Sequence, residues 1–125
     1  MSHCNQATIT DEAFAYLRGI HTLGMRGCSQ ATITDAAFVH LRGIHSLDMT
    51  GCNQATITDA ALAHLRGIQS LYMGLCTQIT DAAMVHLVGI RELHIWSCLQ
   101  LTDTALAPLL GLGARGAANI RRWRF

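Results

Sequence analysis

The stretch Ile44-His45-Ser46-Leu47-Asp48-Met49-Thr50-Gly51-Cys52, followed after Asn53-Gln54-Ala55-Thr56 by Ile57-Thr58-Asp59-Ala60-Ala61-Leu62-Ala63-His64-Leu65-Arg66-Gly67, decides the fold. Its first half alternates. Leu47 and Met49 fall at period two, which suits a short strand with one buried face. Cys52 then turns inward. The second half begins at Ile57-Thr58-Asp59, where Thr58 has the chemistry of a helix N-cap and Asp59 suits the first turn of a helix. Ala61, Leu62 and Leu65 follow at helical spacing, and Gly67 stops the helix. The stretch therefore reads as strand, turn, helix, turn.

This unit recurs along the chain. Cysteines stand at Cys4, Cys28, Cys52, Cys76 and Cys98, with spacings of 24, 24, 24 and 22 residues. Ala-Thr-Ile-Thr-Asp occurs at 7–11, 31–35 and 55–59. The fourth copy, Gln78-Ile79-Thr80-Asp81, omits the Ala-Thr pair, which accounts for the shorter spacing. A partial fifth copy starts at Cys98 and carries Leu101-Thr102-Asp103. One copy offers eight inward side chains: Ile33, Ala37, Phe38, Leu41, Ile44, Leu47, Met49 and Cys52. That is too little apolar surface to order a unit of this length alone. Neighbouring copies must bury each other's faces and pair their strands into one parallel sheet, with matching residues in columns.

The pattern resembles the cysteine-containing class of leucine-rich repeats, as in the substrate-recognition arms of F-box proteins. The resemblance rests on Leu23-x-Met25-x-x-Cys28, Leu47-x-Met49-x-x-Cys52, Leu71-x-Met73-x-x-Cys76 and Leu93-x-Ile95-x-x-Cys98, each followed by Ile-Thr-Asp or Leu-Thr-Asp. It implies an α/β leucine-rich-repeat solenoid, a right-handed superhelix of about four and a half repeats. Short parallel strands would line its concave face and helices its convex face. The solenoid would cover residues 1–112 and leave 113–125 as a basic, aromatic tail or cap. The copies are shorter than that class usually has. No F-box segment accompanies them, so a ubiquitin-ligase role is not expected. The implied function is protein–protein interaction.

Composition agrees with one folded domain. The chain has 125 residues, of which 50% are apolar and 14% charged, too apolar for a disordered chain. The formal net charge is +1, which excludes a global attraction to nucleic acid or anionic membrane. All nine cationic side chains are arginines. No apolar run approaches the roughly 20 residues of a membrane span. The start, Met1-Ser2-His3-Cys4, is polar and unlike a secretory signal. Five cysteines cannot all pair within one chain, and free thiols suit an intracellular, most simply cytoplasmic, location.

The strand positions between the inward residues form three columns on the predicted concave face: Thr22, Ser46, Ser70, Glu92; Gly24, Asp48, Tyr72, His94; and Arg26, Thr50, Gly74, Trp96. The inward positions scarcely change between copies, whereas the second and third columns differ in every copy. Variety on a uniform scaffold fits a recognition surface. Arg26, Asp48, Tyr72, His94 and Trp96 are the expected partner-binding residues, being of types that anchor interfaces.

Other constellations read as structural. The cysteines come one per unit and lack the close pairs of a zinc site, so they are expected to pack as small inward hydrophobes. His40, His64 and His86 share one helix position, and His21 and His45 share another. Columns on convex helices would set neighbours roughly 8–10 Å apart, too far for one metal ion. Protonating such a column in mildly acid solution would add like charges along it. The aspartates at 11, 35, 59, 81 and 103 read as first-turn carboxylates favoured by the helix dipole. Asp48 and His94 would lie two strands, about 9–10 Å, apart with Tyr72 between them. Neither a catalytic site, a cofactor nor a metal is expected.

The ends depart from the pattern. Aligning Met1-Ser2-His3-Cys4 on Met25-Arg26-Gly27-Cys28 starts the chain in mid-repeat, so the first full strand, near Thr22–Arg26, is expected to have an open edge. After Pro108 and Gly111 the repeat fades. The tail carries Arg115, Arg121, Arg122 and Arg124, too few charges for more than modest affinity for phosphate or RNA. Its Ile120, Trp123 and Phe125 are the expected contacts of a homo-oligomer, most simply a two-fold dimer. The alternatives are a cap or a disordered tail on a monomer. The rival function is a purely structural self-assembly module with no foreign ligand.

Overall fold

The computed structural model describes residues 9–98 and 100–102, together with the backbone of 119–121. Five short strands, β1 (Thr22–Gly24), β2 (Ser46–Asp48), β3 (Ser70–Tyr72), β4 (Glu92–His94) and β5 (Asn119–Arg121), form one parallel sheet in chain order. Leu23, Leu47, Leu71, Leu93 and Ile120 stand in one register column. The leucine at the centre of each of the first four strands is buried while its neighbours are more open. That is the alternation expected of a sheet with one face on the core. Pairing runs on past the strands, through Met25 N–H to the Asp48 carbonyl (2.8 Å), Met49 to Tyr72 (2.7 Å) and Met73 to His94 (2.9 Å).

Residues 119–121, within the segment read from the sequence as a tail or cap, supply a strand of the sheet, with Ile120 in register with Leu93. Trp123, Phe125, Pro108 and Met1 to Gln6 lie outside the described residues.

The helical segments differ in kind from the expectation. Asp11–Leu17, Asp35–Leu41 and Asp81–Leu87 are 3-10 helices of seven residues each. Among the described residues only Asp59–Leu62 forms an α-helical turn, and it too continues as 3-10 over Ala63–Leu65. The tighter helix rises about 2.0 Å per residue against 1.5 Å for the α-helix, so a short segment spans more of the unit. The N-cap expected at Thr58 is observed and recurs at Thr34 and Thr80: the three hydroxyls accept from the N–H of Ala60, Ala36 and Ala82, whereas the equivalent Thr10 makes no such bond.

The glycine after each helix closes a turn. Arg66 has φ −55° and ψ 133°, Gly67 has φ 88°, and Ile68 N–H donates to the Leu65 carbonyl at 3.0 Å. These are the marks of a type II turn, whose third position favours glycine. Gly19, Gly43 and Gly89 repeat it.

All eight inward residues of the unit from Ile33 to Cys52 are buried, and their equivalents join them in one continuous core. Polar side chains link each unit to the next across that core. The Cys52, Cys76 and Cys98 thiols donate to the carbonyls of Met25, Met49 and Met73 at 3.0–3.2 Å. Gln54 and Gln78 donate through Nε2 to the carbonyls of Cys28 and Cys52. Thr32 and Thr56 hydroxyls donate to the carbonyls of Ile9 and Ile33.

The aspartates do more than face a helix dipole. Asp35 Oδ1 accepts the Thr58 N–H and Oδ2 the Thr58 hydroxyl, both at 2.6 Å. Asp11 does the same for Thr34, Asp59 for Thr80 and Asp81 for Thr102. The Asp11, Asp35 and Asp59 carboxylates therefore tie down the residues that cap the next unit's helix. Charge-assisted bonds of this kind are about twice as strong as neutral ones.

Candidate functional site

The face of the sheet away from the core carries the three columns read from the sequence, in the expected register, although Thr50 and Gly74 of the third column are buried. Thr22, Ser46, Ser70 and Glu92 align, as do Gly24, Asp48, Tyr72 and His94. The third column follows at the strand exits, where the N–H groups of Gly27, Gly51 and Leu75 donate to the carbonyls of Thr50, Gly74 and Trp96.

Tyr72 and His94 are stacked, with ring centroids 4.2 Å apart and planes 8° from parallel. Glu92 holds both rings. Its Oε1 accepts the Tyr72 hydroxyl at 2.6 Å and lies 2.8 Å from His94 Nε2. A carboxylate has no proton to donate, so Nε2 carries the proton in this bond. The same hydrogen bond raises the Tyr72 pKa, because ionising the phenol would lose the bond beside an anion. The phenol is thus kept as a donor.

Asp48, next to Tyr72 in register, is anchored by its own turn, with Oδ1 accepting the Thr50 N–H at 3.1 Å. Trp96 lies over Gly74. A Cβ at Gly74 would meet Trp96 Cε2 and Nε1 at 2.4 Å, so the missing side chain makes room for the indole. Of the five predicted residues, Tyr72 and His94 are in direct contact, with Asp48 and Trp96 on the neighbouring positions. Arg26 is exposed beyond the edge strand and, among the described residues, makes no ion pair.

Glu92 stands in the first column but not among the residues that the sequence marked for binding. Its column reads Thr, Ser, Ser and then Glu, one strand on from a tyrosine. That break in an otherwise hydroxyl column was the available signal.

The backbone beside this face is unusual in two copies. Gly27, Gly51, Leu75 and Ser97 occupy one repeated position, all with positive φ, at 74°, 80°, 63° and 55°. The first two copies meet this requirement with glycine; the next two place side chains there. Leu75 is 40% exposed, which puts an apolar side chain beside Trp96 on the open surface.

The buried thiols are poor nucleophiles. Burial pushes the Cys52 thiol up to about 12 and Cys98 up to about 11, and it raises Cys76 as well. They stay protonated and donate to carbonyls.

The histidines are placed differently from expectation. His21 and His45 lie at strand entries and not on helices, so their ring centroids are 4.9 Å apart, about one strand spacing, and not 8–10 Å. His40, His64 and His86 do follow the helical column, but each meets an arginine of the preceding unit, at 3.3–3.4 Å. Among the described residues, no three His, Cys, Asp or Glu side chains converge as a metal site. Nor is any helix there long and apolar enough to cross a membrane.

No protein-family model matches the chain, and neither does any curated protein. Among solved structures, the fold is similar to a chain in the crystal structure of the Rad7 and Elc1 complex in yeast. The TM-score is 0.58 at 19% identity, over 73% of this chain and 25% of that one. This chain therefore spans about a quarter of that chain's length. At such identity the likeness speaks for the fold alone.

Proposed function

We propose that the chain is a leucine-rich-repeat solenoid of the cysteine-containing class, acting as a protein-recognition module through the concave face of its sheet. The observation that carries this reading is the Tyr72–His94 stack held by Glu92. Two rings are fixed in advance on a half-exposed surface, so a partner would meet them at little cost in side-chain ordering. Asp48 and Trp96 flank them, and aromatic groups are enriched among residues that dominate binding energy. The fold likeness to a chain solved within a protein complex is compatible with this reading.

The test is comparative capture from the source cell. A protein retained by the parent chain should be lost from a Tyr72→Ala/Trp96→Ala variant and kept by Arg18→Gln, which changes the helix side. Retention by all three would remove the sheet face as the site.

Self-association is a second reading, favoured by β1. Among the described residues nothing pairs with its outer edge, where the backbone groups of Thr22 and Gly24 point away from β2. Such edges invite pairing with another chain. Gly24→Pro removes an outward N–H without removing a bond to β2. If the edge joins chains, this variant sediments at monomer mass where the parent is heavier; equal masses would exclude the edge.

A further inference from the structure

We propose that the groove between Arg42 and Arg66, on the helix side, binds a small tetrahedral oxyanion of the phosphate class. This site shares no residue with the sheet face.

The argument begins with the arginine–histidine column. Arg18 Nε donates to His40 Nδ1 at 3.3 Å, and the same pairing joins Arg42 to His64 at 3.4 Å and Arg66 to His86 at 3.3 Å. A guanidinium has only donors, so in each pair the histidine Nδ1 accepts. The neutral imidazole then carries its proton on Nε2, free to donate elsewhere.

Between two of these pairs the surface opens into a pocket lined by Arg42, Ala63, His64 and Arg66. Its place follows from one residue type. The position of Ala63 is Val39 in the preceding unit and Val85 in the next, both exposed at 41% and 52%. Alanine omits the two methyl groups that would stand in the groove.

The charges around the pocket are uncompensated. Among the described residues neither Arg42 nor Arg66 has a carboxylate partner. The aspartates that start the helices of the same units, Asp35 and Asp59, are taken up by Thr58 and Thr80. Each guanidinium has five N–H donors in a planar fork, and the structure gives each one partner, a histidine. Two such forks and an imidazole Nε2–H around one concavity suit a tetrahedral anion, which arginine binds bidentately.

The test titrates inorganic phosphate into the 125-residue chain at constant ionic strength, with chloride as the replaced anion. Calorimetry and the His64 imidazole resonances report binding. The expected result is saturable binding of one phosphate with a shift at His64. Ala63→Val, which restores the residue of the flanking units without changing charge, should weaken binding by about tenfold or more, as should Arg66→Gln. Arg18→Gln should leave it within about twofold. The proposal is overturned if phosphate does no more than chloride, or if Ala63→Val binds as tightly as the parent. It also fails if Arg18→Gln weakens binding as much as Arg66→Gln, since that would mean a diffuse positive field and not a site. Circular dichroism on each variant separates loss of binding from loss of fold.

Discussion

Leu71 and Tyr72 are adjacent in one strand, yet they answer to different constraints. Leu71 is fully buried and stands in register with Leu47 and Leu93, the same residue in each neighbouring unit. Tyr72 stands between Asp48 and His94, three different residues in three units. The inward side is shared between units, so a change in one copy leaves a void against two others. The outward side meets solvent, and each copy is free to carry its own chemistry. The comparison teaches where to look for function in a stacked chain: on the face that the stacking does not dictate.

The largest expected effect breaks the inward side. Leu71→Ala should cost about 3 kcal/mol in urea unfolding, by lost burial and the cavity left behind, whereas Tyr72→Ala should cost less than about 1 kcal/mol. Equal costs would end the distinction between the two faces.

Next comes the aspartate ladder. Asp59→Ala removes both carboxylate bonds to the Thr80 cap of the following unit. The expected loss is about 2 kcal/mol, read as a lower denaturation midpoint. A loss of only a few tenths, as for a surface dipole contact, would return Asp59 to the simpler role read from the sequence.

The buried thiols give a pH dependence with a definite sign. An unfolded thiol ionises near pH 8.5, whereas burial holds Cys52 at about 12 and Cys98 at about 11. Between those values the folded chain binds more protons than the unfolded one, so stability falls as pH rises. The contribution is complete below about pH 8.5 and is lost as pH climbs through the folded values. The melting temperature should therefore drop between pH 8.5 and 11. A chain with Cys52→Ser and Cys98→Ser keeps donors but not these titrations, and its drop should be shallower. An equal drop would clear the thiols of the effect.

The smallest expected effect sharpens the outward side. Leu75 holds φ 63°, a conformation that costs a non-glycine residue about 1 kcal/mol. Leu75→Gly, which restores the residue found at 27 and 51, should raise stability by up to that amount in thermal unfolding. If it also weakens partner capture, the exposed leucine belongs to the binding face. A loss of stability would show that Leu75 packs usefully against its neighbours.

Much of this was legible in the residues themselves. Leucine, methionine and cysteine at fixed offsets named the inward set, and threonine before aspartate named the helix caps. Repetition aligned the columns, because equal spacing forces equal register in a parallel stack. The helix type was less legible, since seven residues with apolar groups three and four apart satisfy a 3-10 and an α-helix alike. The fifth strand was hidden because Asn119-Ile120-Arg121 lacks the leucine–methionine–cysteine signature.

The sequence by itself determined the unit, its stacking and the composition of the variable face. Tertiary structure alone decided who meets whom between units. It gave Asp35 to Thr58, His64 to Arg42, and Glu92 to both Tyr72 and His94. Most of these partners lie 20 or more residues apart in the chain, whereas strand spacing sets them one unit apart in space. Hydrogen bonds depend on that distance and on side-chain direction, and neither is written in any single copy of the repeat.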